Sequence, residues 1–216
     1  MKNGRIGNKE IAEKNFTVVL YEEGNSQASK HSDCFTEQSD KPLINIILTH
    51  HPEFVTADKD CMFSINGQNV NMEEFKELGV PLFRLGIPQN ARLYMEQEIT
   101  DLREKIKELK NELGRFLAEN PQNANTYKGQ NLKSLIEFYE KEADEKEQYL
   151  NTVVNARWIV KQLIDLANEV PEKKVTCIHI TPPPLFEELA KQMKEADLVV
   201  LPMRATIRME PDELIH

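Results

Sequence analysis

The chain has 216 residues, of which 40% are hydrophobic and 29% are charged, and its formal net charge at neutral pH is −9. This length suits one α/β domain, or a small domain with a large insertion. The excess of negative charge disfavours a surface that follows nucleic-acid phosphates, so we expect no nucleic-acid partner. An acidic surface is better suited to contact with basic protein surfaces.

Cysteine usage and hydrophobicity indicate where the protein works. Cys34, Cys61 and Cys177 are odd in number and form no Cys-x-x-Cys pair, which argues against a disulfide framework and a cysteine-rich zinc site. A reducing compartment fits this pattern. No run approaches the ~18 consecutive apolar residues of a membrane span, and the first residues lack the hydrophobic core of a signal peptide. We therefore expect a cytoplasmic protein without membrane contacts.

Apolar runs separated by polar loops open the chain. Residues 16–20 (Phe-Thr-Val-Val-Leu) predict a β-strand, and the polar residues 22–41 predict a loop. The apolar run 43–48, which follows Pro42, favours a buried strand, although its periodicity does not exclude a short helix.

A hairpin, a short helix and a further strand are predicted before the middle of the chain. Asn66-Gly67 is a type I′ turn signal because both residues tolerate positive φ, so we expect a hairpin within 62–70. Residues 72–78 predict a short helix that ends at the following glycine. Residues 80–85 predict another strand.

The middle third is rich in Glu, Lys, Leu and Gln and predicts two long helices. They cover residues 89–118 and 130–170, and the polar segment 119–125 and Gly129 separate them. We expect an antiparallel helical hairpin, whose first arm of about 30 residues would extend about 45 Å at 1.5 Å per residue. The last part of the second helix is apolar nearly all round, so we expect it to be buried in the α/β body.

Apolar residues on the first helix alternate between spacings of four and three, which is typical of an a/d seam. They are Leu102, Ile106, Leu109, Leu113 and Phe116. Two interpretations of the hairpin stay open. It packs only on itself, or it is an arm for homodimerisation or for binding a protein partner, because two helices bury each other on only one stripe.

The last forty residues read as strand, loop, helix and strand. A buried strand from Val175 leads into the loop Thr181-Pro182-Pro183, and an amphipathic helix and a second buried strand, 198–202, follow. A crossover helix implies a parallel pair of strands, and ligands of such sheets usually bind at the carboxyl ends of the strands. The predicted fold is therefore α/β, with a mostly parallel sheet built from 1–88 and 171–216 and the hairpin 89–170 inserted between them.

This C-terminal unit resembles the ParA/MinD-like P-loop ATPases. In that family a Thr-Pro-Pro loop precedes a helix and a strand that reads Ala-Asp-Leu-Val-x-x-Pro, as residues 196–202 do here. The resemblance implies ATP with Mg²⁺ as cofactor. The family has an acidic residue before Thr-Pro-Pro that serves the magnesium and the attacking water, and Ile180 stands in that position. The family's next strand ends in an acidic residue that would fall on Glu22 or Glu23.

A phosphate-binding loop needs glycines, a lysine and a hydroxyl for Mg²⁺. The N-terminal segment supplies the first two but has no hydroxyl after its second lysine. The candidate nucleotide site implied by the resemblance comprises Lys2, Gly4, Gly7, Lys9, Thr181, Pro182 and Arg204. His179 would add to the shape of the same pocket.

The resemblance implies a ParA-like nucleotide-binding or nucleotide-derived module of a bacterial or mobile-element protein, acting through dimerisation and partner binding with impaired hydrolysis. The alternative is a non-enzymatic adaptor that binds another protein through its acidic helical hairpin. Absence of the lysine–hydroxyl pair and of the acidic residue favours the alternative, whereas the match at 196–202 favours the module.

Two further sets of polar residues can be explained as ordinary surface residues. His50 and His51 follow an apolar run, but adjacent histidines on a strand point to opposite faces, so we expect surface or half-buried histidines and no metal site. The remaining cations near the predicted sheet edge would form either a small basic patch or ordinary solvated surface. They are Arg204, Arg208, Lys173 and Lys174.

Overall fold

The computed structural model describes residues 14–22, 41–59, 64–65, 68–69 and 79–204. Its centre is a five-stranded sheet in which every pair of neighbouring strands is parallel. The strands are β1 (Asn15–Glu22), β2 (Phe54–Asp58), β5 (Leu82–Leu85), β6 (Lys174–Thr181) and β7 (Val199–Arg204), in the spatial order β5-β2-β6-β1-β7. The α/β class is therefore confirmed, as are the strands predicted at 16–20, at 80–85 and from Val175.

Helices cover both faces of the sheet. Helices α4 (Asn155–Glu169) and α5 (Pro183–Glu195) pack on one face, against alternate residues of β1 and β6 such as Val18 and Cys177. Helix α1 (Lys41–His50) packs on the other face, against the intervening residues such as Val19 and Ile178. Strands that are covered on both faces read as continuous apolar runs, which is the pattern of 16–20.

The strand favoured at 43–48 is wrong, because the structure has helix α1 there. Leu43 and Ile47 are four residues apart and both are buried, whereas Leu48 is 58% exposed. The apolar run therefore covers the sheet with one helical face, which a six-residue window did not distinguish from a strand. The strand of this region is β2, which begins only after Pro52.

The hairpin predicted within 62–70 is described in part. Strands β3 (Ser64–Ile65) and β4 (Gln68–Asn69) pair antiparallel, as a two-residue turn requires. The turn residues Asn66-Gly67, the helix predicted at 72–78 and nearly all of the loop predicted at 22–41 lie outside the described residues.

The parallel arrangement of β6 and β7 is correct, but the two strands are not neighbours. Strand β1 lies between them and pairs with both. Strand β7 was also expected to be buried, yet Val199 is 54% exposed and Leu201 is 39% exposed. It flanks the sheet on the side of β1, so only one of its edges is paired within the described structure.

Residues 87–155 form a second compact unit. It contains α2 (Gln89–Glu119), a 3₁₀ turn (Pro121–Asn125), α3 (Tyr127–Tyr149) and a π-helical turn (Leu150–Val154). The division falls near 155 and not at the predicted 170, because α4 is apolar enough to pack on the sheet. None of the helices in the described part of the chain combines the length and apolar character that a membrane crossing requires.

A small apolar cluster joins α2 and α3. Ile106 of α2 and Ile136 and Ala143 of α3 are buried in it. Three more of the predicted seam residues, Leu102, Leu109 and Leu113, pack against this cluster. Phe116 is half-buried and lies under the ammonium of Lys128, at 5.0 Å from the ring centre.

Candidate functional site at the carboxyl edge of the sheet

The carboxyl ends of β1 and β6 meet at the point where the chain reverses its direction across the sheet. From β1 the chain passes over β6 to reach β2, and from β6 it passes over β1 to reach β7. The two connections carry helices on opposite faces, so they diverge at this edge. In open α/β sheets such a switch point leaves a crevice in which ligands bind. The predicted Thr181-Pro182 loop leaves the sheet here.

Three polar side chains form a row across this edge. Glu22 at the end of β1 is the register partner of Thr181 on β6 and of Arg204 on β7. All three belong to the face that α4 and α5 cover, because they alternate with residues packed against α1. Two of the predicted nucleotide-site residues, Thr181 and Arg204, therefore lie on either side of one carboxylate.

Arg204 is paired with two carboxylates, and no second cation of the predicted basic patch lies beside it among the described residues. Its Nε lies 3.1 Å from Glu22 Oε2, its Nη2 donates to Glu187 on α5, and its guanidinium lies 4.9 Å from the ring centre of Phe186. Lys173 and Lys174 lie at the amino end of β6, the opposite edge of the sheet, so the predicted grouping with Arg204 is wrong. Arg208 lies outside the described residues.

The N-terminus of α5 has few donors for an anion. Pro183 and Pro184 occupy its first two positions and have no N–H, and Leu185 N donates to Pro182 O at 3.1 Å. Helix N-termini bind phosphate through such free N–H groups. Together with Glu22 and Glu187, this arrangement makes the side of the crevice near α5 a poor phosphate cradle.

Thr181 also belongs to a buried polar group on β6 and β2, which includes His179 and Thr56. His179 and Thr181 are fully buried on the same face of β6. Thr56 Oγ1 donates to Ile178 O at 3.3 Å and lies 2.8 Å from His179 Nδ1. The hydroxyl has one proton, so if that proton goes to Ile178 O, Nδ1 is the protonated nitrogen and Nε2 carries a lone pair. Burial lowers the pKa of His179 to about 3, so the ring is neutral at physiological pH.

Two atoms of this group have no hydrogen-bond partner among the described residues: His179 Nε2 and Thr181 Oγ1. Buried polar atoms are nearly always satisfied, so atoms like these are candidates for contact with a ligand or an ordered water. Thr181 combines this property with its position at the switch point. It is the strongest single candidate for a binding residue in the site.

The other predicted residues either lie outside the described part of the chain or have a different setting from the one expected. Lys2, Gly4, Gly7 and Lys9 lie outside the described residues. His50 and His51 end a helix and not a strand: His51 has a positive φ of 43° and donates its N–H to Ile47 O. Within the described ranges, no group of three His, Cys, Asp or Glu side chains is arranged to hold a metal ion.

Sequence reasoning missed Thr56 and Glu187. Thr56 was missed because β2 is short and was not recognised as a strand. Glu187 is one of many glutamates on an amphipathic helix, and only the ion pair with Arg204 distinguishes it. Comparison of the chain with protein-family models, with curated proteins and with solved structures finds no match.

Proposed function

We propose that the chain is a ParA-like nucleotide-binding or nucleotide-derived module of a bacterial or mobile-element protein, which works through dimerisation and partner binding more than through hydrolysis. The observation that carries this proposal is the switch point of β1 and β6, where the unpartnered hydroxyl of buried Thr181 lies beside Glu22. A cleft at a switch point is the usual ligand site of this class of sheet.

The residues next to Thr181 support the proposal that hydrolysis is impaired. Ile180 is fully buried on the α1 side of the sheet, so the position before Thr-Pro-Pro has no group that can accept a proton. If ATP binds with Mg²⁺, the Glu22 carboxylate and the Thr181 hydroxyl fit the preference of that ion for oxygen ligands. The metal would neutralise phosphate charge, and Thr181 and Glu22 would hold the metal in position.

Thermal unfolding with a nucleotide panel tests this proposal. We expect ATP, ADP, GTP or GDP with Mg²⁺ to raise the melting temperature, because a ligand at a hundredfold its Kd stabilises the native state by about 2.7 kcal/mol. For a chain of this size the shift should be about 5–10 °C. The control is Glu108→Gln, an exposed carboxylate on α2, which should keep the full shift, whereas Glu22→Gln should reduce it. A flat response to all four nucleotides would contradict nucleotide binding.

The second candidate function is a non-enzymatic adaptor that binds protein through residues 87–155. We infer that α2 and α3 form an antiparallel hairpin, because the partners of their ion pairs run in opposite order along the two helices. These pairs are Glu98 with Lys146, Lys110 with Glu140, and Glu112 with Lys128. Exposed ion pairs of this kind add little stability but fix the register. The specific observation that favours an adaptor is a set of exposed aromatic residues on α3.

A further inference from the structure

The outer face of α3 has an aromatic stripe, which we define as Tyr127, Phe138 and Tyr149. Their exposed fractions are 85%, 60% and 51%. Successive members are eleven residues apart in the sequence, which is three helical turns plus about 20°. The three side chains therefore project from one face, spaced by about 16–17 Å along the helix. The buried seam residue Ile136 lies about 160° around the helix from Phe138, so this face points away from α2.

The polar residues between the aromatic side chains are divided by charge. Asn131 and Ser134 lie between Tyr127 and Phe138 on the same face, because they follow Tyr127 by four and seven residues. Glu142 and Glu145 follow Phe138 by the same two intervals. The face is thus neutral in its first half and acidic in its second half. Both acids form long, exposed ion pairs with lysines, at 3.8 Å between Glu142 and Lys146 and at 3.7 Å between Glu145 and Lys141.

We propose that the aromatic stripe binds the same stripe of a second copy of this chain, with the two α3 helices antiparallel and the two-fold axis at Phe138. The spacing is the same on both sides of Phe138, so this pairing places Phe138 on the partner's Phe138 and Tyr127 on the partner's Tyr149. An isologous interface requires such self-complementarity.

Charge selects the antiparallel arrangement. It brings Glu145 opposite the partner's Asn131 and Glu142 opposite the partner's Ser134, so each carboxylate meets a donor. A parallel arrangement would place Glu142 beside the partner's Glu142 and Glu145 beside the partner's Glu145, and like charges across an interface repel. The exposed parts of the six rings amount to roughly 600–1,000 Å². This is at the lower end for specific association, so the dimer should depend on protein concentration.

This inference rests on the part of the proposed function that assigns dimerisation to the chain, and not on nucleotide binding. Disulfide trapping tests its register in the full chain with Cys34→Ser and Cys61→Ser, since Cys177 is buried. We expect Phe138→Cys to form a cross-linked dimer on mild oxidation. Tyr127→Cys alone should not cross-link, but Tyr127→Cys with Tyr149→Cys should. Leu93→Cys, at a site with the same 60% exposure as Phe138, is the matched control and should give no cross-linked dimer.

Sedimentation equilibrium supplies the second readout. Phe138→Glu and Ser134→Glu should each weaken the dimer at least tenfold, Ser134→Lys should strengthen it by pairing with the partner's Glu142, and Leu93→Glu should leave it unchanged. A chain that stays monomeric at all concentrations, or that cross-links through Tyr127→Cys alone, overturns the proposal. The melting response to nucleotides is read independently, so either proposal can fail while the other stands.

Discussion

Thr181 and His179 have the least satisfied polar atoms of the described core, and each makes its own testable contribution. Both face α4 and α5 on the strand that reaches the switch point. A buried hydroxyl without a partner lowers stability, because the desolvation of that hydroxyl is not offset by a hydrogen bond. Residues that lower the stability of the free protein in this way are expected where a ligand completes the bonding.

Replacing Thr181 by valine should separate stability from ligand binding. We expect Thr181→Val to raise the free energy of unfolding of the ligand-free protein by about 1–2 kcal/mol, because it removes an unpaired hydroxyl at nearly constant shape. The same variant should lose most of its melting shift with Mg-ATP. Thr181→Ser, which keeps the hydroxyl, is the control and should retain the shift. A fall in ligand-free stability of the valine variant would mean that the hydroxyl has a partner.

His179 should make stability depend on pH. Its folded pKa of about 3 lies below the unfolded value of about 6.5, so the unfolded chain takes up a proton in this window and the folded chain does not. The stabilisation is complete above about pH 6.5 and falls as the pH falls towards 3. Between pH 7 and pH 5 this group alone should lower the free energy of unfolding by about 2 kcal/mol.

Urea unfolding of the wild type and of His179→Asn at both pH values measures this effect. Asparagine has an amide nitrogen close to the position of Nδ1 and can keep the bond to Thr56, but it does not titrate. We expect the variant to lose about 2 kcal/mol of the pH dependence. Equal pH dependence in the two proteins would mean that His179 is accessible to solvent protons in the folded state.

At the scale of elements, the backbone around the start of α3 leaves no room for a side chain at Gly129. It lies in the first turn of α3, where its N–H donates to the capping Thr126 Oγ1 at 3.2 Å. A Cβ at this position would overlap the carbonyl oxygen of Asn123. Gly114, on α2, has nothing within 4 Å of the corresponding Cβ. The two glycines thus form a matched pair with opposite expected effects.

Gly129→Ala should destabilise residues 87–155, and Gly114→Ala should stabilise them. We expect a loss of about 1–3 kcal/mol for the first, from the steric overlap with backbone, and a gain of about 0.5–1 kcal/mol for the second, from helix propensity. Thermal unfolding followed by ellipticity at 222 nm measures both. Changes of the same sign in the two variants would contradict this account of the α3 start.

The elements also show where sequence reasoning succeeds. The long helices were predicted because their periodic patterns extend over many turns, and β1 and β6 because apolar residues on both faces give an uninterrupted run. The run 43–48 failed because six residues cannot distinguish one helical face from a strand, and β2 failed because it is short and contains Thr56 and Asp58. Both errors arise because the segments are too short for their periodicity to be recognised.

At the scale of the whole molecule, the candidate site depends on the order of the strands. Thr181 was predicted from the loop that contains it, but the contact between Glu22 and Arg204 requires β1 to lie between β6 and β7. More than 150 residues separate Glu22 from Thr181, and no local pattern fixes which strands become neighbours. The sequence therefore singled out Thr181 and Arg204, left Glu22 and Glu23 as alternatives, and gave Arg204 the wrong neighbours.

Hydrogen–deuterium exchange with and without Mg-ATP tests the central claim most directly, because it reports both binding and location. We predict protection in peptides that cover the carboxyl ends of β1 and β6, near Glu22 and Thr181. Peptides from the body of α2 should be unchanged. No protection at saturating nucleotide, or protection confined to residues 87–155, would contradict a nucleotide site at the switch point.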